Sequence, residues 1–304
     1  MSSVYAPPAE HRLLAIGLAL AAYFFFTGID SSAKWLGLIG MSALQIVFLR
    51  YAIHLTVTLG VHLPRHGRSL IRTRNPKLQF WRAVALLGST GLNFLALRYL
   101  PLTVTGAIGF TAPFFISALS IPLLGEKVGW RRWSAIGVGF VGVLIIVRPG
   151  TDAFHPASLL SLTAACCTAF YMLLTRKVSA VDSAATSQFY VGAFATVLLA
   201  PFVSFSWMWP TTPDGWLAFF CVGIFGFIGH QLITVAAALA PASVLAPFSY
   251  LQIIFLAGAS WLVFNQPPDI WLYMGAPIVI ASGLYIWLRE RTLAKPSPPV
   301  VVLR

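Results

Sequence analysis

The sequence predicts an all-α polytopic membrane protein, with ten transmembrane helices arranged as two inverted five-helix repeats. Three observations carry that prediction. Of the 304 residues, 58% are hydrophobic, 14% aromatic and only 9% charged, far from the balance of a soluble domain. The apolar residues gather into ten runs near the ~20 residues needed to cross a hydrocarbon core. One stretch also occurs twice. LPLTVTGAIGFTAPFFISALSIPLLGEKV, from Leu100 to Val128, aligns 140 positions on with APASVLAPFSYLQIIFLAGASWLVFNQPP, from Ala240 to Pro268, pairing Pro101 with Pro241, Thr103 with Ser243, Phe110 with Tyr250 and Glu126 with Gln266.

The spans read 13–31, 43–62, 79–98, 102–124, 130–147, 156–175, 186–206, 214–235, 243–263 and 270–288. Five spans per repeat is an odd number, so the second copy lies upside down, the plan of many secondary carriers. The join falls in 148–156, beside Pro149, Gly150 and Asp152. It divides the chain into units 1–150 and 151–292, followed by a proline-rich tail, 293–304, expected to be disordered.

A net charge of +12 would suit nucleic acid, but its placement argues for membrane topology instead. Sixteen of the 20 Lys and Arg fall on one side of these spans: Arg12, Arg65, Arg68, Arg72, Arg74, Lys77, Arg82, Lys127, Arg131, Arg132, Arg176, Lys177, Arg289, Arg291, Lys295 and Arg304. The positive-inside rule puts that side, and both termini, in the cytoplasm. The tryptophans lie near span ends, as an interfacial belt requires.

Taken in order, span 1 ends on Asp30, with Lys34 one turn further on. The two form either an exposed pair at the interface or part of an outer gate with Arg50, whose depth in span 2 demands a partner or a watery cavity. His54 lies one turn below Arg50, and Asn93 adds an amide to span 3. Such groups face inward, either to bond neighbouring helices or to meet a substrate. Span 4 is interrupted by Pro113 and Pro122 and span 9 by Pro247. Their aligned aromatics, Phe110 and Tyr250, are core residues or the two walls of a mid-membrane cavity. Spans 5 and 10 carry small residues (Ala135, Gly139, Gly142; Ala281, Ser282, Gly283) and read as packing helices outside the pathway. Tyr171, Gln188, Tyr190, His230 and Gln231 form an inner polar cluster, and the 140-residue shift sets Tyr190 against Arg50. Cys166, Cys167 and Cys221 have no disulfide or metal spacing, and His62 with His66 lacks a nearby carboxylate or thiolate.

The corner LLGEKVGWRRWSAIGVGFVGVLIIVRPG, Leu123 to Gly150, resembles the pattern closing the first half of EamA-type transporters in the drug/metabolite transporter superfamily. MGAPIVIASGLYIWLRERT, Met274 to Thr292, resembles the close of their second half. The resemblance implies ten helices in a bacterial inner membrane, a central cavity from helices 1 to 4 and 6 to 9, and alternating access. Members move amino acids, nucleotide-like metabolites, vitamins and drugs. The second corner departs from the pattern, with Asn265-Gln266 in place of Gly-Glu. Asp30 followed by Lys34-Trp35 is similar to a subgroup of amino-acid exporters and of uptake carriers for S-adenosylmethionine or riboflavin.

The reading is a carrier exporting small zwitterions, amino acids (aromatic ones included) foremost. A carboxylate suits Arg50 or Lys34, and an ammonium suits an aromatic face such as Tyr250. The alternative is uptake of a nucleoside-like or vitamin substrate such as S-adenosylmethionine or riboflavin. An enzyme is disfavoured because none of the eight acids lies mid-span. With only Asp30, His54 and His230 able to carry a proton, a facilitator or exchanger is favoured. The candidate substrate contacts are Asp30, Lys34, Arg50, His54, Asn93, Phe110, Tyr171, Tyr190, His230, Gln231, Tyr250 and Gln252. No catalytic group, cofactor, metal or nucleic acid is expected. The partners are a small-molecule substrate and the lipid bilayer, for a monomer or weak dimer.

Overall fold

The apolar runs become helices in a computed structural model that describes residues 9–125, 129–151, 154–178, 181–240 and 242–293. The helices are α1 (Ala9–Leu38), α2 (Ala43–His66), α3 (Pro76–Leu97), α4 (Leu102–Gly109), α5 (Ala112–Leu124), α6 (Trp130–Val147), α7 (Ala157–Val178), α8 (Ala184–Val203), α9 (Pro213–Leu239), α10 (Ala242–Ser249), α11 (Gln252–Phe264) and α12 (Ile270–Leu293). Among the described residues, eight helical stretches are long and apolar enough to cross a membrane, with α4 and α5 counted together; Trp133–Val147 of α6 and α11 are apolar but shorter. Residues 294–304 of the proline-rich tail, and Glu126, lie outside the described residues. Polar caps set several starts: Ser42, Asn75, Ser183 and Thr212 each accept an N–H from the first turn of α2, α3, α8 and α9.

The repeated stretch breaks at the aligned position in both copies. α4 stops at Gly109, where the ring of Pro113 collides with the carbonyl four residues back, and the chain restarts after Phe110 and Thr111. In the second copy the helix passes Pro247 and breaks at Tyr250 and Leu251, although the residue aligned with Pro113 is Ile253. The corners match too. Gly125 (φ 69) and Asn265 (φ 51) both end their helices in the left-handed region, which Asn tolerates better than other side-chain-bearing residues. The departure at Asn265 therefore keeps the backbone turn.

Helix packing repeats the same correspondence. α1 packs on α9 and α3 on α7, while α2 packs on α8 and α6 on α12. Exchanging each helix for its counterpart in the other half leaves these pairings unchanged. The α1–α9 contact is reciprocal, with Phe225 lying on Gly28 and Phe26 on Gly229; a Cβ at either glycine would fall 2.5 or 2.6 Å from the facing ring. α6 and α12 meet backbone to backbone, since a Cβ on Gly142 would lie 2.9 Å from the Gly275 carbonyl oxygen. Ser282 Oγ donates to the Ala135 carbonyl across the same seam.

The connections collect at two ends. At one end, Asp182 of the α7–α8 loop accepts from Thr73 Oγ1 and from the Arg74 N–H at 2.9 Å, and Lys177 Nζ donates to Leu123 O at 2.8 Å. Arg65, Arg68, Arg72, Arg74, Lys77 and Arg176 belong to this basic end. At the opposite end, Gln45 at the start of α2 holds the backbone of Met208 twice, donating from Nε2 to its carbonyl (2.6 Å) and accepting its N–H (3.0 Å). Arg148 is ion-paired with Asp269 there, and Tyr99 stacks on His155.

Candidate transport site

A cavity of about 310 Å³ lies between the helices in the half away from the basic loops. It gathers six of the candidate residues: Asp30 from α1, Arg50 from α2, Asn93 from α3, Phe110 at the α4–α5 break, His230 from α9 and Gln252 at the start of α11. Hydroxyls from Ser89, Thr90, Ser161 and Thr168 line the rest, with apolar wall from Phe26, Ile29 and Phe94. Both helix breaks thus deliver a residue to one chamber, where freed backbone is tolerated.

Arg50 is buried. Its Nη1 donates to Thr90 Oγ1 at 3.1 Å, and its guanidinium lies 4.6 Å from the Tyr51 ring centroid. Tyr51 OH in turn donates to Leu86 O and bonds Thr90 Oγ1, which fixes the arginine's position. Arg50 Nε has no protein partner. On another wall, Asn93 Nδ2 donates to Asp30 Oδ1 at 3.1 Å. Among the described residues no hydrogen bond or ion pair joins Asp30 to Arg50, although the carboxyl and the guanidinium border one chamber.

A second, collapsed chamber adjoins the first through Arg50, Leu86 and His230. Its ~20 Å³ is room for about one water. His54 and Tyr171 line it, with Tyr51, Gln188 and Arg82. His54 sits edge-on to His230, ring centroids 6.0 Å apart. Arg82 was read from sequence as one of the cytoplasmic charges, yet it is 3% exposed inside the bundle. The signal was present: position 82 lies inside the span read as 79–98, one turn after Gln79.

Four candidates fall off the cavity wall, and for Lys34, Tyr190 and Tyr250 the surroundings differ from those expected. Lys34 pairs with neither Asp30 nor Arg50. It is buried against the corner after α3, donating to the Leu100 carbonyl at 2.6 Å over the Phe264 ring. Tyr190 lies on the outside of the bundle, donating to Ile71 O at 2.9 Å beside an apolar groove of about 690 Å³ between α3 and α8. The 140-residue shift pairs Tyr190 with Arg50 in sequence but not in environment. Gln231 meets His62 and Gln188 nearer the basic end. Tyr250 touches Phe110, centroids 5.2 Å apart, but its hydroxyl is pressed against Gly283 of α12. Of the aligned pair, only Phe110 reaches the chamber.

At the basic end, Asp182 shows how the loops close. Burial raises its carboxyl, but hydrogen bonds from the Arg74 N–H, Thr73 and Gln79 outweigh that and hold it below the usual carboxylate range.

Membrane-length helices around a chamber lined by a carboxylate, an amide and a guanidinium define a membrane transport protein. The EamA-like transporter family model matches residues 13–148 and again 155–288, and the chain belongs to that family. It is similar to the riboflavin transporter of Vibrio cholerae, 31% identical over 94% of this chain and 99% of the relative. It is also similar to the S-adenosylmethionine uptake transporter of Rickettsia bellii (28%, covering 91% and 94%) and to the pseudopaline exporter CntI of Pseudomonas aeruginosa (26%, covering 87% and 93%). A solved crystal structure shares the fold at a TM-score of 0.61 and 19% identity, over 94% of this chain and 99% of that one.

Proposed function

We propose that this transporter is a secondary carrier that exports small zwitterionic metabolites, amino acids foremost, across a bacterial inner membrane. The observation that carries the reading is a carboxyl and a guanidinium bordering one cavity without bonding each other, Asp30 held by Asn93 and Arg50 with its Nε unpartnered. A substrate carboxylate accepts from Arg50, and its ammonium meets Asp30 and the face of Phe110. Apolar wall takes a range of side chains. His230 and Gln252 complete the site, while His54 and Tyr171 border the way onward. Lys34, Tyr190, Gln231 and Tyr250 support helix packing instead.

The architecture fits alternating access by ten spans in two inverted repeats, 1–150 and 151–292, with both termini in the cytoplasm. The matching breaks and exchangeable pairings support this reading, as does the gathering of basic loops at one end. One chain encloses the cavity, so a monomer or weak dimer suffices. The names of the relatives favour a second reading, uptake of a ring-bearing substrate such as S-adenosylmethionine or riboflavin, for which Phe26, Phe94 and Phe110 offer flat faces. Counterflow in proteoliposomes with labelled amino acids, S-adenosylmethionine and riboflavin separates the two. Exchange of amino acids is the expected result, and exchange of riboflavin alone overturns it.

A further inference from the structure

Arg82 is the second buried guanidinium of the bundle, and every partner it has is neutral. Nε donates to Thr175 Oγ1 at 2.8 Å, Nη1 to the Ser187 carbonyl at 2.9 Å and to Gln79 Oε1 at 3.5 Å, and Nη2 to Tyr171 OH at 3.0 Å. Its guanidinium lies 4.8 Å from the Tyr171 ring centroid. Among the described residues no carboxylate is ion-paired with it. The nearest acid by bonding is Asp182, which reaches Gln79 Nε2 and not the arginine.

Neutral dipoles satisfy the donors of a buried arginine, but they do not cancel its charge. An uncompensated charge inside a membrane bundle marks a place where a counter-charge arrives. The geometry says where that counter-charge comes from. Arg82 and Arg50 line the same small chamber, and Arg50 also lines the larger cavity. The arginines therefore stand in series from the cavity toward the basic end. Arg82 spans three helices, bonding Tyr171 and Thr175 on α7 and Ser187 on α8 from its own place on α3. Any opening that parts α8 from α3 and α7 frees Nη1 from the Ser187 carbonyl.

We propose that Arg82 is a second anion-binding station, which takes the substrate carboxylate from Arg50 when the basic end opens. This rests on the zwitterion reading above and deepens it: the transported species must carry a carboxylate or equivalent anionic group. The two stations differ in chemistry. The outer one offers a cation and an anion, Arg50 and Asp30, whereas the inner one offers only a cation.

That difference sets a test on the wild-type protein, with no variant required. Proteoliposomes of known orientation exchange labelled L-phenylalanine while hydrocinnamate, which lacks the ammonium, or phenethylamine, which lacks the carboxylate, competes from one side. From the cavity side both analogues compete. From the basic side hydrocinnamate competes at least tenfold more strongly than phenethylamine, and equal competition there overturns the proposal. In the same vesicles, Arg82→Gln raises the half-saturation concentration from the basic side at least tenfold and leaves the other side within twofold. A residue that only braces the closed end would lower the maximal rate from both sides and leave half-saturation unchanged, and that outcome also overturns it. A wild-type protein that exchanges no amino acid fails at the zwitterion reading itself, a result distinct from either of these.

Discussion

Arg50 and Arg82 face the same problem, a full positive charge inside an apolar bundle, and the protein solves it in two ways. Arg82 spreads its donors over four neutral acceptors, Gln79 on its own helix and Tyr171, Thr175 and Ser187 on α7 and α8, and so ties α3 to both. Arg50 has one protein acceptor, Thr90, an aromatic face beneath it and a buried Nε with nothing to bond. An unsatisfied buried donor costs about 1–3 kcal/mol, a cost that binding a substrate acceptor removes. Both guanidinium groups are buried, so what distinguishes them is the state of their donors: those of Arg82 are held by protein acceptors, whereas Arg50 keeps one free.

The largest effect expected from breaking this contrast is at Arg50. Arg50→Ala abolishes exchange while the purified protein stays monodisperse, and Arg50→Lys is impaired as well, because an ammonium cannot replace a planar fork held by Thr90. Normal kinetics in either variant would remove Arg50 from the site.

A middle-sized effect separates the aligned aromatics. Phe110 borders the cavity, whereas Tyr250 is wedged between Phe110 and Gly283. Phe110→Ala raises the half-saturation concentration up to about thirtyfold, the loss of a cation–aromatic contact worth about 2 kcal/mol. Tyr250→Ala acts on thermal stability instead, by the few kcal/mol of a large buried truncation. A thermal shift combined with transport titration reads both, and a reversed pattern would interchange their roles.

The smallest effect lies at the basic end. The folded carboxyl of Asp182 is held below its ordinary range. Its contribution is therefore fully present above the unfolded carboxylate pKa and fades as pH falls through the folded one. Hydrogen exchange at the Arg74 amide, corrected for intrinsic rate, should lose protection in acid, and Asp182→Ala should remove it at neutral pH. Acid-insensitive protection would mean that another group holds the loop.

Much of this was legible in the sequence because membrane spans write themselves in length and apolarity. Pro113 announced the first break, and six of the candidate residues line one chamber, His230 among them although the sequence placed it in the inner cluster. What was hidden depends on contacts made at long sequence separation. Lys34 is held by a backbone carbonyl 66 residues away, and a backbone acceptor has no sequence signature. Arg82 lies close enough to a basic loop to pass for a topology charge. The second break comes without a proline at the aligned position. The 140-residue shift relates positions in the chain and says nothing about which way a side chain turns, so it failed for Tyr190 and half-failed for Tyr250.

The central claim is that one cavity recognises both charges of a zwitterion. Counterflow tests it most directly, with vesicles preloaded in turn with L-phenylalanine, hydrocinnamate and phenethylamine, each asked to drive accumulation of labelled L-phenylalanine. The account predicts accumulation driven by the zwitterion and at least tenfold less by either singly charged analogue. Equal accumulation with hydrocinnamate or phenethylamine would contradict it, because one of the two charges on the cavity wall would then have no part in recognition.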